Sequence, residues 1–193
     1  MATFIVMSTL GNSFKHIVAA LVVLCTSAVA ANAADAARLE ELFRQLKEAD
    51  ASTYLGIERQ IGEEWSKSGS AAIDLLLRRG QDAIDKGDFQ TAVEHFSAAI
   101  DHAPDFAEAY NGRATAFYLL DEFGLSLEDI RQTLILEPRH FGALSGFAMI
   151  LEQIDREDDA LEVYRQILEL APAAPGINEA VERLELQQEG RTL

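Results

Sequence analysis

Apolar residues recur at three- and four-residue steps from Leu75 to Ile84 and again from Val93 to Ile100. That spacing predicts two amphipathic helices, each with one buried face. Gly87-Asp88 lies between them and reads as a turn, with Asp121-Glu122 and Asp155-Arg156 as later equivalents. Pro104, Pro138 and Pro172 stand 34 residues apart. Each would end the second helix of a pair, because proline lacks the amide donor and clashes with the preceding turn.

The same step carries Gly80 to Ala114 to Ala148 and Ala92 to Ser126 to Ala160. It carries Leu76 to Tyr110 to Leu144, Ala83 to Phe117 to Leu151, and Phe96 to Ile130 to Tyr164. Columns of like character at one period define a repeat. The small columns mark places where two backbones approach closely and a large side chain would force them apart. Asp105 followed by Glu108 reads as a capping box opening the next helix.

The flanks carry helical patterns too. Leu39, Leu42, Phe43 and Leu46 form one stripe, and Tyr54, Ile57, Ile61 and Trp65 another. Together they predict a helical hairpin in front of the array, with a degenerate fourth unit as one form it could take. Trp65 sits on the apolar stripe and is read as core, with an interface hot spot as the other reading. Ser68-Gly69-Ser70 separates this hairpin from the first clear repeat, and Ile177, Val181 and Leu184 predict a last amphipathic helix. Such a helix would cover the apolar face that the final repeat otherwise exposes.

The order of residues in each unit (large, small, aromatic, small, aromatic, proline) resembles the tetratricopeptide repeat, or TPR. Gly80, Ala83, Gly87-Asp88-Phe89, Ala92, Phe96, Ala99 and Pro104 carry the resemblance in the first unit. The third departs from it at Glu157, where an aromatic is usual, and the second at Ser126. The resemblance implies an all-α fold: an α-solenoid of antiparallel helix pairs wound as a right-handed superhelix of TPR units. The expected divisions are a leader over 1–33, the N-terminal hairpin over 34–72, repeats over 73–106, 107–140 and 141–174, and a capping helix and tail over 175–193.

The resemblance also implies that the first helix of each unit lines a concave groove. Here that gives Leu77, Gln81 and Ile84; Asn111, Thr115, Tyr118 and Leu119; and Ser145, Met149 and Glu152. Asn111 reads as a backbone-binding amide or a solvated helix residue, and Tyr118 and Met149 also suit simple packing. A mixed apolar and neutral groove suits a helix or an extended peptide. Some family members hold a partner's C-terminal carboxylate through Lys and Asn side chains. Leu77, Gln81 and Gly112 stand at those positions here, so no such clamp is expected.

Charge narrows the partner. Sixteen Lys and Arg against 32 Asp and Glu give a formal net charge of −16. Phosphate neutralisation needs clustered cations, so no nucleic-acid partner is expected, and a basic protein or peptide is favoured. Lys15, the apolar run 17–30 and Ala31-Asn32-Ala33 follow the order of a secretory signal peptide, with cleavage between Ala33 and Ala34. The run is shorter than the roughly 20 residues of a membrane-spanning helix. Met7 competes with Met1 as the start. Export by the general secretory route to the periplasm or beyond is the expectation, and an uncleaved inner-membrane anchor serving an envelope complex is the alternative.

Cleavage would remove Cys25, the one cysteine, and with it every thiol-based site. His95 and His102 lie seven apart without a carboxylate at metal-motif spacing, and no phosphate loop or nucleophile elbow occurs. The chain is therefore read as a binding protein without cofactor or metal, and not as an enzyme.

Overall fold

The structure, a computed structural model, describes residues 36–191. The described residues from Leu42 onward form one compact unit, which carries the repeats. Among the described residues every regular element is a helix: α1 (36–48), α2 (Tyr54–Trp65), α3 (Ala71–Asp85), α4 (Phe89–His102), α5 (Ala107–Leu119), α6 (Phe123–Leu136), α7 (Phe141–Gln153), α8 (Glu157–Leu170) and α9 (Ile177–Arg191). Helices α3 to α8 form three consecutive pairs, each second helix packing on its own first helix and on the next, and α9 packs on α8.

The 34-residue period is visible in the backbone. Gly87, Asp121 and Asp155 all adopt left-handed φ values, 75°, 59° and 58°. Each is the residue after a first-helix C-cap. The amides of Asp88, Glu122 and Arg156 donate back to the carbonyls of Ala83, Phe117 and Leu151 at 2.9, 2.9 and 2.8 Å. The amides of Gly87, Asp121 and Asp155 donate to Ile84, Tyr118 and Glu152 at 2.9, 3.0 and 3.1 Å. This is a Schellman cap repeated three times. Glycine takes the conformation without cost, and aspartate tolerates it better than most side chains. Asp88 then caps α4 by accepting the Thr91 amide at 3.2 Å.

After each proline the chain turns again. Phe106, His140 and Ala174 donate their amides to the carbonyls of Ala103, Glu137 and Ala171. That turn corrects the expected capping box. It takes Asp105 into its interior, so α5 starts at Ala107 with Phe106 as N-cap and no side-chain cap bond.

The small columns do what their size requires. Ala92, Ser126 and Ala160 are fully buried, as are Ala114 and Ala148. Ser126 is tolerated because its hydroxyl donates to the Ala114 carbonyl at 2.8 Å, so the buried oxygen is satisfied. The closest approach is at Phe96. A Cβ built at Gly80 would lie 2.6 Å from its Cε1 and Cζ, and one at Gly112 would lie 2.6 Å from Cζ and nearer still to Cε1. The ring is thus clasped between first helices of two successive repeats.

The third column residue of the second repeat, Ile130, faces Gly146 in the same way, 34 residues on. It leaves 3.6 Å between its Cδ1 and a Cβ at Gly146, ordinary contact distance. Substituting an aromatic by isoleucine therefore leaves space between α5 and α7.

Residues 42–65 end against the start of α7. Trp65 stacks on His140 with ring centroids 4.3 Å apart and planes 12° apart, and lies 5.1 Å from Phe141 and 5.8 Å from Phe43. The Arg139 guanidinium sits 4.0 Å over Phe43. The hairpin's contacts thus reach the opening of the third repeat, farther than a unit placed ahead of the first repeat would be expected to reach.

At the turn before α2, the Asp50 carboxylate accepts the amides of Ser52 and Thr53 at 3.0 Å and their hydroxyls at 2.7 and 2.9 Å. The Ser52 and Thr53 hydroxyls, ahead of the amides, hold its pKa down to about 2, below the usual 3.8. A depressed carboxylate stabilises the fold fully above the unfolded value and ceases to do so as pH falls through the folded one. The Asp50 carboxyl should therefore titrate in NMR near pH 2. A midpoint at the ordinary value would show the turn unformed.

Phe96 makes a second prediction. Gly80→Ala and Gly112→Ala should each lower stability by about 1–3 kcal/mol through overpacking. Gly62→Ala, in open space on α2, should raise it by up to about 1 kcal/mol through helix propensity. Thermal melts of the three variants measure the contrast.

Candidate binding groove

The faces of α3, α5 and α7 carry two adjoining cavities. The first, of about 320 Å³, has a floor of small residues, Ala114, Gly142, Ala143 and Gly146, with Ile130 beneath. Its walls are Asn111, Thr115, Tyr118, Leu119, Ser145 and Met149. Leu119 and Met149 remain exposed although apolar, Met149 at 45%. The second cavity, of about 340 Å³, is lined by Leu77, Gln81, Asp74, Arg78, Glu108 and Ser66 among others, and shares Asn111 and Thr115 with the first. These two side chains form the ridge between them.

Of the ten residues expected in the groove, the structure thus places eight around these cavities. Ile84 and Glu152 line neither. Ile84 turns to the core beside Ala83, Ala92 and Phe96. Glu152 is engaged elsewhere, accepting the Tyr164 hydroxyl at 2.8 Å and the Arg183 guanidinium at 2.7 Å. Burial, with the Glu152 carboxylate beside it, pushes the Tyr164 hydroxyl above its usual pKa. The Asn111 amide nitrogen reaches Glu108 at 3.4 Å, and the Thr115 hydroxyl donates to the Asn111 carbonyl at 3.0 Å.

The floor residues were not expected from the sequence, although their signal is present in it. Gly112 and Gly146 are one period apart, and a glycine column on a helix marks a surface that something else must fill. In the first repeat the Phe96 ring fills it. In the second, Ile130 does so only in part, and the first cavity is the remainder.

A partly buried ion pair fixes the helix that carries both Asn111 and Thr115. Arg113 on α5 donates to both carboxylate oxygens of Asp129 on α6, at 2.7 and 2.8 Å, and to the Ser97 hydroxyl on α4 at 3.0 Å. Its guanidinium also lies within 6 Å of the Tyr110 and Phe117 rings. The Asp129 hydrogen bonds raise the Arg113 pKa above its ordinary value despite partial burial. Asp129 also offers its carbonyl to the buried Thr133 hydroxyl at 2.9 Å. A two-pronged pair of this geometry sets the rotation of α5 about its axis.

Among the described residues no three His, Cys, Asp or Glu side chains cluster to hold a metal. No described helix is long and apolar enough to cross a membrane. The predicted leader and its Ala33–Ala34 junction lie outside the described residues.

Paired helices of fixed period with a groove along the first helices define a helical-repeat binding protein. The tetratricopeptide repeat family model matches residues 77–128 and 120–175, and the chain belongs to that family. A TPR repeat-containing protein of Rhizobium etli is 38% identical over 148 residues, 76% of this chain and 72% of that one. The small glutamine-rich tetratricopeptide repeat-containing protein 2 of Saccharomyces cerevisiae is 28% identical over 116 residues, which are 59% of this chain but 33% of that longer protein. Among solved structures, the first TPR of Spaghetti (RPAP3) bound to the HSP90 peptide SRMEEVD superposes with a TM-score of 0.59 at 18% identity, over 62% of this chain and 95% of that one.

Asp129→Ala would take the two-pronged partner from Arg113, which stays partly exposed and bonded to Ser97, and should cost about 1.5–3 kcal/mol. The double change Arg113→Met with Asp129→Leu should recover most of that loss, because a well-packed apolar pair replaces a buried ion pair at little cost. Urea titration of the two variants decides it. A double variant as unstable as Asp129→Ala would show that the pair is needed for more than mutual neutralisation.

Proposed function

We propose that the protein is an exported adaptor, acting in the periplasm or outside the cell, that binds a helix or extended peptide of basic character in the groove of α3, α5 and α7. The observation that carries this reading is the first cavity: a small-residue floor, exposed Leu119 and Met149 in its walls, and the polar ridge of Asn111 and Thr115. A bulky apolar side chain fits the floor, while Asn111 and Thr115 can meet the backbone that carries it.

Charge supports the basic partner. The peptide bound by the Spaghetti neighbour, SRMEEVD, ends in three carboxylate side chains within four residues. Here the second cavity presents Asp74 and Glu108 against Arg78 alone, on a chain of net charge −16. Gly112, pressed on Phe96, leaves no room for an amide that could hold a terminal carboxylate. Like charges across an interface are repelled and opposite ones steered. Export rests on the N-terminal sequence pattern, and N-terminal sequencing of the natural protein tests it: a first residue of Ala34 supports export, and an intact leader removes it.

The groove itself is tested by filling it. Ile130→Phe restores in the second repeat the residue that the first repeat already uses. It should close the cavity and lower partner recovery in crosslinked pull-downs by about tenfold or more, the scale of losing one buried anchor, with the melting temperature kept. Asn111→Ala combined with Tyr118→Ala should weaken recovery similarly. Recovery equal to that of the unaltered protein in both variants would remove the groove from the account.

A further inference from the structure

The Trp65–His140 contact of the N-terminal hairpin is unlike the rest of the structure. Trp65 lies face to face with His140, whose ring is 3% exposed and whose Nδ1 accepts the Ala143 amide at 3.1 Å, capping α7. The Trp65 Nε1 and His140 Nε2 are both buried and find no hydrogen-bond partner in the protein. Glu108 Oε1 is 3.5 Å from that Nε2, at the far limit of a hydrogen bond. Elsewhere the buried polar side chains Ser126, Asp129 and Thr133 are all bonded. A buried donor left without a partner forfeits free energy that water returns on opening. This aromatic seat is therefore favourable in area but uncompensated in polarity.

The seat adjoins the groove. Ser66, the residue after Trp65, lines the second cavity with Leu77, Gln81 and Asn111, and Glu108 lines the same cavity while facing His140. We propose that residues 42–66 form a releasable strap, with Trp65 seated on His140 and Phe141 as an intramolecular competitor for the second cavity. When the strap is seated, a ligand reaching from the first cavity over the Asn111–Thr115 ridge into the second meets a wall at Ser66. When it is released, the groove extends over the starts of α5 and α7. The consequence for ligands rests on the proposed groove function, whereas the seat does not.

The experiment on the seat needs no natural ligand. A fluorescein-labelled synthetic peptide of residues 54–68 is titrated with the full chain, with the Phe43→Ala, Trp65→Ala double variant, and with that variant carrying His140→Ser. Serine keeps the N-cap of α7 and removes the aromatic seat. A tethered strap competes at an effective concentration of about millimolar, so the unaltered chain should bind at least about tenfold more weakly than the double variant. Adding His140→Ser should abolish the gain. Equal binding to the unaltered chain and the double variant, absence of binding to either, or a gain that survives His140→Ser overturns the proposal.

Hydrogen exchange of the unaltered full chain gives an independent measure. Amides of α2 should exchange at least about a hundredfold faster than those of α4 to α7, as an element that opens on its own does. Because Trp65 is the one tryptophan in the chain, its emission should change in denaturant before helical ellipticity is lost. Equal protection together with coincident transitions would make the hairpin an integral part of the fold and end the strap model. Loss of partner recovery on Ile130→Phe reports on the first cavity alone, so failure of the strap and failure of the groove are separable.

Discussion

The array depends on how closely its first helices can approach, and Phe96 sets that distance at the front of the groove. Its ring occupies the space that Cβ atoms at Gly80 and Gly112 would need, so two backbones close onto one aromatic side chain. Interiors are packed too densely to absorb an extra methyl group at such a point. The ring also bridges repeats: Gly80 belongs to its own pair and Gly112 to the next. Stability in a repeat array is carried by such nearest-neighbour contacts, and this one contact serves both within and between units.

The groove follows from varying that contact. With Phe96 replaced by Ile130 one period on, the fold survives, because Ala114 and Gly146 still allow close approach and the Arg113–Asp129 pair holds α5 to α6. What is lost is filling, and the unfilled volume opens between α5 and α7 beside Asn111 and Tyr118. Cavity volume and packing are here the same quantity counted with opposite sign. A column that were aromatic in every repeat would give a tighter array with less of a cavity.

Most of the fold was legible because it is periodic. The prolines, the small columns and the turn residues at 87, 121 and 155 each report a local constraint, and three copies make each report hard to mistake. The site was legible only as far as it shares that period, so first-helix positions such as Asn111, Thr115 and Met149 could be placed by alignment. Glu152 could not. Its engagement by Arg183 comes from α9, outside the repeats, and no register within the array foretells it. Asp129 stands three residues after Ser126 and four before Thr133, both buried. A charge on the buried stripe demands a partner, and that demand was readable even though Arg113 was not.

His140 shows where periodic reasoning stops. Its equivalent one period earlier is Phe106, which opens α5 without a side-chain cap, and the column carries no rule about imidazoles. The residue matters through Trp65, which comes from the hairpin ahead of the first clear repeat. Two buried nitrogen atoms without a hydrogen-bond partner in the protein weaken this contact, since an apolar pair of the same shape would hold better. Their presence beside the groove is coherent if the contact has to open. On that reasoning the first helices carry the proposed groove, and the hairpin ahead of the first clear repeat sets how much of it is open.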